Sequence, residues 1–232
     1  MTDLKNKVKN YCVNNFFPKH INFWTDKTII VHLLVSFTLL IVSIFLTYFA
    51  RVYANGHTSY VATDLLLDNL PVIDVSIFFF QGAFIFILTL IAILMYEPKR
   101  IPFTLEATAV FFSIRSFFMI MTHLSAPSVE YYNYIQHEHH VKEVLFTLTS
   151  GNDMFFAGHS GYPFLLAIIF WEISYLRYLF LFCSLLGAVI VILGHLHYSI
   201  DVFASFFIAF GVYEISKFFF KKEYNLLNTK II

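Results

Sequence analysis

His197 and Asp201 stand four residues apart in the run His195-Leu196-His197-Tyr198-Ser199-Ile200-Asp201, at the edge of a strongly apolar segment. On a helix that spacing places both on one face, within hydrogen-bonding reach. A carboxylate behind an imidazole fixes its tautomer and makes it a better nucleophile or base. A second histidine, His159 in Gly158-His159-Ser160, opens a different apolar segment. The glycine lets backbone approach a ligand, and a helix N-terminus favours a phosphate oxygen. A nucleophile on one segment and an acid on another suit attack on phosphorus with protonation of a lipid leaving group.

Arg115 lies inside an apolar stretch with only apolar and small neighbours. A charge there needs a partner or a water-filled cavity. Two roles are open to it: a bidentate hold on a phosphate oxygen, or a structural pair with Asp201 or Asp153. Asp153 and His195, close in sequence to the two central histidines, complete the expected phosphate- and substrate-binding group with Arg115. The run His137-Glu138-His139-His140 has metal-binding residue types, but its spacing is not His-Glu-x-x-His and no cysteine is near. It is expected to be a solvated polar loop, with no metal. Glu106, Glu172 and Glu214 are expected to be solvated or structural.

These residues need a membrane to position them. The chain has 232 residues, 59% hydrophobic and 13% charged, with 30 phenylalanines and a mean hydropathy of +0.72. A soluble domain of this size does not need so much apolar surface. The expected fold is all-α, a polytopic membrane protein with a six-helix transmembrane bundle. Its spans are read at 28–50, 73–95, 103–123, 159–174, 178–195 and 198–219, with a tight turn near Ser174-Tyr175 joining the fourth and fifth. Residues 1–27 form an N-terminal segment, 28–219 the catalytic domain and 220–232 a tail. The first segment mixes Phe16, Phe17, Phe23 and Trp24 with lysines; it reads either as an interfacial stretch or as a disordered basic tail. It has no short apolar core with a small-residue cleavage site, so no cleaved signal peptide is expected. Cys12 and Cys183 imply no disulfide framework. The formal net charge of zero gives no case for nucleic acid.

Lysine and arginine give an orientation. Twelve of the 15 basic residues, among them Lys5, Lys27, Lys99, Arg100, Arg177 and Lys221, fall on the side that carries both termini. That side is expected to be cytoplasmic. Arg51 and Lys142 fall on the other, and Arg115 within the third span. Eight of the ten histidines share that outer side with Asp64, Asp68, Asp74, Glu130, Asp153 and Asp201. The reactive groups are therefore expected on the extracytoplasmic face, periplasmic, luminal or extracellular. The long loop 124–157 is expected there too, and loops of that length are usually functional.

At these residues the chain resembles the sphingomyelin synthase family, within the wider type 2 phosphatidic acid phosphatase (PAP2) superfamily. Arg115-Ser116-Phe117-Phe118-Met119-Ile120-Met121-Thr122-His123-Leu124 is similar to the family's Arg-Ser-x-x-Met-x-x-Thr-x-Leu motif. Asp153 through Ser160 is similar to its Gly-Asp…Ser-Gly-His-Thr motif, and His195 through Val202 to its His-x-His-Tyr-x-x-Asp-Val motif. Asn69-Leu70-Pro71 with Asp74 loosely resembles its acidic Leu-Pro motif. Gly151-Asn152 replaces the Cys-Gly that usually precedes Asp153, and Ser125 follows Leu124 where the family has proline.

The resemblance implies a catalytic triad of His159, His197 and Asp201. His197, oriented by Asp201, would attack phosphorus and form a phosphohistidine; His159 would protonate the departing glycerolipid oxygen and then activate the acceptor hydroxyl. It implies transfer of phosphocholine or phosphoethanolamine from phosphatidylcholine or phosphatidylethanolamine to a lipid alcohol acceptor such as ceramide, among membrane lipids and without a cofactor. The outer acidic residues with Tyr131, Tyr132 and Tyr134 suit a cationic headgroup, or are ordinary interfacial aromatics. One alternative is a lipid phosphatase or phospholipase C-like hydrolase of the same superfamily. Against the phosphatase, the Ser-Arg that resembles a phosphatase signature is replaced by Ile190-Val191, and no Lys-x6-Arg-Pro run occurs. Another alternative is a non-enzymatic, histidine-rich membrane transporter, which would place polar residues deeper through several spans.

Overall fold

In the computed structural model, residues 17–57, 60–122, 124–128 and 155–228 are described. They form an all-α protein with no strand among them. Eight helices follow in order: α1 (Phe17–Thr25), α2 (Lys27–Asn55), α3 (Ser76–Tyr96), α4 (Ile101–Met121), α5 (Gly158–Ile169), α6 (Ser174–Leu193), α7 (Ser199–Phe219) and α8 (Lys221–Asn228). Short 3-10 turns occupy Leu67–Asn69 and Pro98–Arg100.

Among the described residues, five helices, α2, α3, α4, α6 and α7, are long and apolar enough to cross a membrane. The fourth expected span, 159–174, is shorter than the sequence suggests. Helix α5 has 12 residues, about 18 Å at 1.5 Å per residue, against a hydrocarbon core of about 30 Å. It ends where the Arg100 guanidinium donates to the Ile169 carbonyl at 2.8 Å, a cation on an unsatisfied helix end. The turn to α6 falls at 170–173, and Ser174 already opens the next helix. Helix α5 is the centre of the bundle rather than a lipid-facing span: Leu165, Leu166 and Ala167 have no exposed surface.

Packing around α5 follows from small residues. With lipid tails as apolar as leucine, helix contacts depend on close approach and on hydrogen bonds between helices. Ser184 of α6 donates to the Ser160 carbonyl at 2.7 Å, and Ser160 bonds the Ser205 hydroxyl of α7 at 2.9 Å. A Cβ at Gly187 of α6 would collide with the His159 carbonyl, so only glycine lets α6 come this close. Helices α2 and α4 pair through Ser36–Glu106 and Thr47–Ser116, each 2.9 Å. The lipid-facing sides stay apolar, as at Phe45 and Phe49 of α2 and Phe203 and Phe207 of α7.

One end of the bundle gathers α1, Pro98–Arg100, the α5–α6 turn and α8. The amphipathic stretch 17–25 is helical, with Phe23 buried and Trp24 exposed. Residues of the 220–232 tail fold back as α8, and its Glu223 pairs with His32 of α2. Glu106 takes the structural option: it is 1% exposed and holds Ser36. Glu214 is exposed and pairs with Lys217. The opposite end gathers 60–75, 124–128 and the N-termini of α5 and α7.

Candidate active site

Two parallel helices, α5 and α7, bring His159 and Asp201 to one depth. The Ser160–Ser205 bond fixes their register, and the Ala157 amide donates to the Asp201 carbonyl at 3.0 Å just above it. His197 is not on the helix with Asp201, contrary to the spacing argument. Helix α7 begins at Ser199 with Tyr198 as its N-cap, and Asp201 is its third residue. One carboxylate oxygen, Oδ2, accepts the Tyr198 amide at 3.1 Å and faces His197 Nδ1 at 3.4 Å. The amide is one of the orphan donors of a helix start, and the acidic residue three positions on satisfies it. The same oxygen thereby meets the ring that lies just before the helix.

Asp201 is fully buried and His197 is 6% exposed. A carboxylate only accepts, so Nδ1 carries the hydrogen of this bond, which in the neutral imidazole leaves the lone pair on Nε2. Asp201 is bonded through Oδ2 alone, and Oδ1 is buried without a hydrogen-bond partner among the described residues.

Around this turn the chain is braced by contacts the sequence does not announce. Asp64, from the loop before α3, accepts the Ser199 amide at 2.6 Å and the Leu66 and Leu67 amides at 2.9 and 3.2 Å. Burial acts to raise its pKa, but the bonds from Ser199, Leu67 and Leu66 outweigh it and hold the carboxyl below the usual carboxylate range. The brace is therefore intact above the ordinary carboxylate pKa and is lost as pH falls through the lowered one. The Tyr198 hydroxyl accepts the Ala62 amide at 3.0 Å and donates to the Ser125 carbonyl at 2.9 Å. Burial, aided by the charges of Asp201 and Asp64, pushes this phenol up, so it stays a donor.

The start of α5 has the opposite electrostatics. Its N-cap is Ala157, whose side chain cannot accept, and its first turn holds no acidic residue. A Cβ at Gly158 would stand 3.1 Å from the Arg115 guanidinium carbon; glycine there lets the cation lie against the helix start. Arg115 is 6% exposed. The His159 ring stacks on Phe79 of α3, with centroids 4.1 Å apart. Two carboxylates thus occupy the N-terminus of α7, while a helix N-terminus, a guanidinium and an imidazole meet at α5. An anion belongs at α5.

Among the described residues, backbone conformation is unusual at two places, both two or three residues before a histidine of this group. Phe156 has φ 40° and His195 φ 48°. Non-glycine residues there cost about 1–3 kcal/mol and persist where the surroundings enforce them. Phe156 is fully buried, edge-on to Phe111 at 5.3 Å. His195 follows the end of α6, half-buried, and its Nε2 is buried without a hydrogen-bond partner among the described residues.

Residues 150–218 match the family described as PAP2 superfamily C-terminal. No curated protein and no solved structure matches the chain. The PAP2 match covers under a third of the sequence, but that third holds His159, His195, His197 and Asp201, with α5, α6 and all but the last residue of α7. It supports the PAP2 superfamily and chemistry of the phosphatase or phosphotransferase type in a multi-pass membrane protein. Asp153 also falls within the match but outside the described residues; His123, Tyr131, Tyr132, Tyr134 and the His137–His140 run lie outside both. No group of His, Cys, Asp and Glu suited to a metal occurs among the described residues.

Three residues around the site escape the sequence reading. Asp64 and Tyr198 act across more than 70 positions of sequence, which no local pattern reveals. Arg51, expected on the outer side just past a first span ending at 50, lies within α2 and is 4% exposed. A signal for it exists: Ser36, Ser43, Thr47 and Arg51 recur at spacings of seven, four and four, a polar stripe on an otherwise apolar helix.

Proposed function

We propose that this chain is a membrane phospholipid headgroup phosphotransferase. It would move phosphocholine or phosphoethanolamine from a glycerophospholipid to a lipid alcohol such as ceramide. The observation that carries the reading is the pairing of a carboxylate-oriented His197 with an uncapped α5 N-terminus that carries His159 and has Arg115 of α4 against it.

The steps use these groups in turn. His197 Nε2 attacks phosphorus, and the bond from phosphorus to the glycerol oxygen breaks. His159, protonated, gives its proton to that oxygen and releases diacylglycerol. Asp201 stabilises the positive charge that the phosphorylated imidazole acquires. The now neutral His159 takes the proton of the acceptor hydroxyl, whose oxygen attacks phosphorus. The bond from phosphorus to nitrogen breaks and His197 is restored. Asp64 at the α7 N-terminus, with exposed Asp68 and Asp74 in the same loop before α3, favours a cationic headgroup. Arg115 meets the phosphoryl oxygens.

The test is purified protein with headgroup-labelled phosphatidylcholine or phosphatidylethanolamine, with and without ceramide. The expected product is a labelled sphingolipid that appears only when ceramide is present. Free phosphocholine or phosphoethanolamine at the same rate with and without ceramide would make water the acceptor and the protein a hydrolase.

The orientation is proposed from the basic residues near α1, Pro98–Arg100, the α5–α6 turn and α8, which put that end in the cytoplasm. Leu65 is 82% exposed at the other end. A single cysteine introduced at Leu65, in a chain without Cys12 and Cys183, should react with an impermeant maleimide in intact cells. Labelling only after permeabilisation would invert the topology.

A further inference from the structure

Arg51 is the second buried arginine at the outer end of the bundle. Its neighbours Phe49 and Val52 are 64% and 55% exposed, toward lipid, while Arg51 is 4% exposed. It therefore does not snorkel along the lipid face. It belongs to the α2 stripe of Ser36, Ser43, Thr47 and Ala54 that is buried along the pairing with α4. Thr47 bonds Ser116, the residue after Arg115. Arg51 lies one turn beyond Thr47 on the same face, about 6 Å further outward. The register thus puts Arg51 and Arg115 on adjacent helices about 7.5 Å apart in depth, with the Arg51 side chain leaning back toward the start of its helix and so toward the depth of Thr47 and Arg115. Arg115 already lies against Gly158 at the start of α5. A guanidinium held inside a span is costly and marks a polar partner or a ligand path.

We propose that Arg51 is a second cation of the phosphate site and tunes its charge preference; this rests on the phosphotransfer reading above. A phosphodiester carries one negative charge, and attack by a neutral imidazole adds a second on the phosphoryl oxygens of the transition state. Arg115 meets the first charge and Arg51 the second. For a diester, Arg51 therefore acts on kcat more than on KM. A phosphomonoester is already dianionic when bound, so for phosphatidic acid loss of Arg51 raises KM.

The experiment compares the full-length wild type with Arg51→Gln and Arg51→Lys in detergent or vesicles. Turnover of phosphatidylcholine and phosphatidic acid is measured beside the thermal shift given by inorganic phosphate and by orthovanadate. Arg51→Gln should lower kcat for the diester at least tenfold with KM within twofold, raise KM for phosphatidic acid, and lose most of the orthovanadate shift. Arg51→Lys should keep the shift but lower kcat at least threefold, because an ammonium lacks the guanidinium fork. If Arg51→Gln does not accumulate, this lysine variant decides, and an unchanged kcat in it overturns the proposal. A folded Arg51→Gln with wild-type kcat and a full orthovanadate shift also overturns it. If the wild type turns over no phospholipid, yet its orthovanadate shift disappears in Arg51→Gln, the anion site stands and the phosphotransfer reading fails.

Discussion

His197→Ala and His159→Ala should each abolish headgroup release, by on the order of a thousandfold or more, in protein that still inserts and folds. The two losses should differ in kind. Without His197 there is no nucleophile, so no substrate restores turnover and no label stays on the protein. Without His159 the missing element is a proton for a poor leaving group. A nitrophenyl ester of phosphocholine needs no such proton, so His159→Ala should still release nitrophenol and accumulate the labelled phosphohistidine. Asp201→Asn keeps the size of the side chain but donates where the carboxylate accepts, and it favours the wrong imidazole tautomer. Its rate should fall on the order of a hundredfold or more. The checks are steady-state rates with both substrate types and acid-lability of the protein-bound label. Near-normal activity of a correctly inserted His197→Ala protein would end the nucleophile assignment.

The reach of the sequence can be judged at this same turn. Residue types and order point to His197, Asp201, His159 and Arg115, because ionisable groups among apolar residues stand out. The all-α architecture is legible for the same reason, since 20-residue apolar runs leave few other folds. What spacing misjudges is local geometry. A separation of four suggested successive turns of one helix, yet Asp201 reaches His197 from inside the helix across its N-cap. The hydrophobic run from 159 to 174 suggested a full span, because hydropathy does not distinguish lipid contact from burial among other helices. In α5 the burial is against α6 and α7, and the helix stops at Ile169. The limits read for the first span, 28–50, left Arg51 just past its end, whereas α2 runs on to Asn55 and Arg51 is buried within it. The contacts of Asp64 and Tyr198 depend on chain folding over long separations, which composition and periodicity do not encode.

Charge balance around the site separates transfer from dephosphorylation. Where the phosphatase signature has Ser-Arg, this chain has Ile190-Val191. Val191 is fully buried in an apolar cluster with Val75, Phe79, Leu196 and Val202. That wall of the site can supply no cation. The positive charges come from Arg115 and Arg51, and the buried carboxylates Asp201 and Asp64 offset them at the adjacent helix start. Such a balance suits a monoanionic diester better than a dianionic monoester, on whose phosphoryl oxygens attack by imidazole places a third charge that would meet no further cation. Diacylglycerol release from phosphatidylcholine or phosphatidylethanolamine should therefore exceed phosphate release from phosphatidic acid by at least about tenfold, a difference of about 1.4 kcal/mol in barrier. Arg115→Lys should impair the diester reaction strongly, because the guanidinium packs against Gly158 and an ammonium cannot reproduce its two parallel donors. Side-by-side rates on the three lipids, with and without ceramide, decide the matter. Faster phosphate release from phosphatidic acid, with no headgroup transfer to any alcohol, would place this chain among the lipid phosphatases. It would also mean that the site finds a positive charge beyond Arg115 and Arg51.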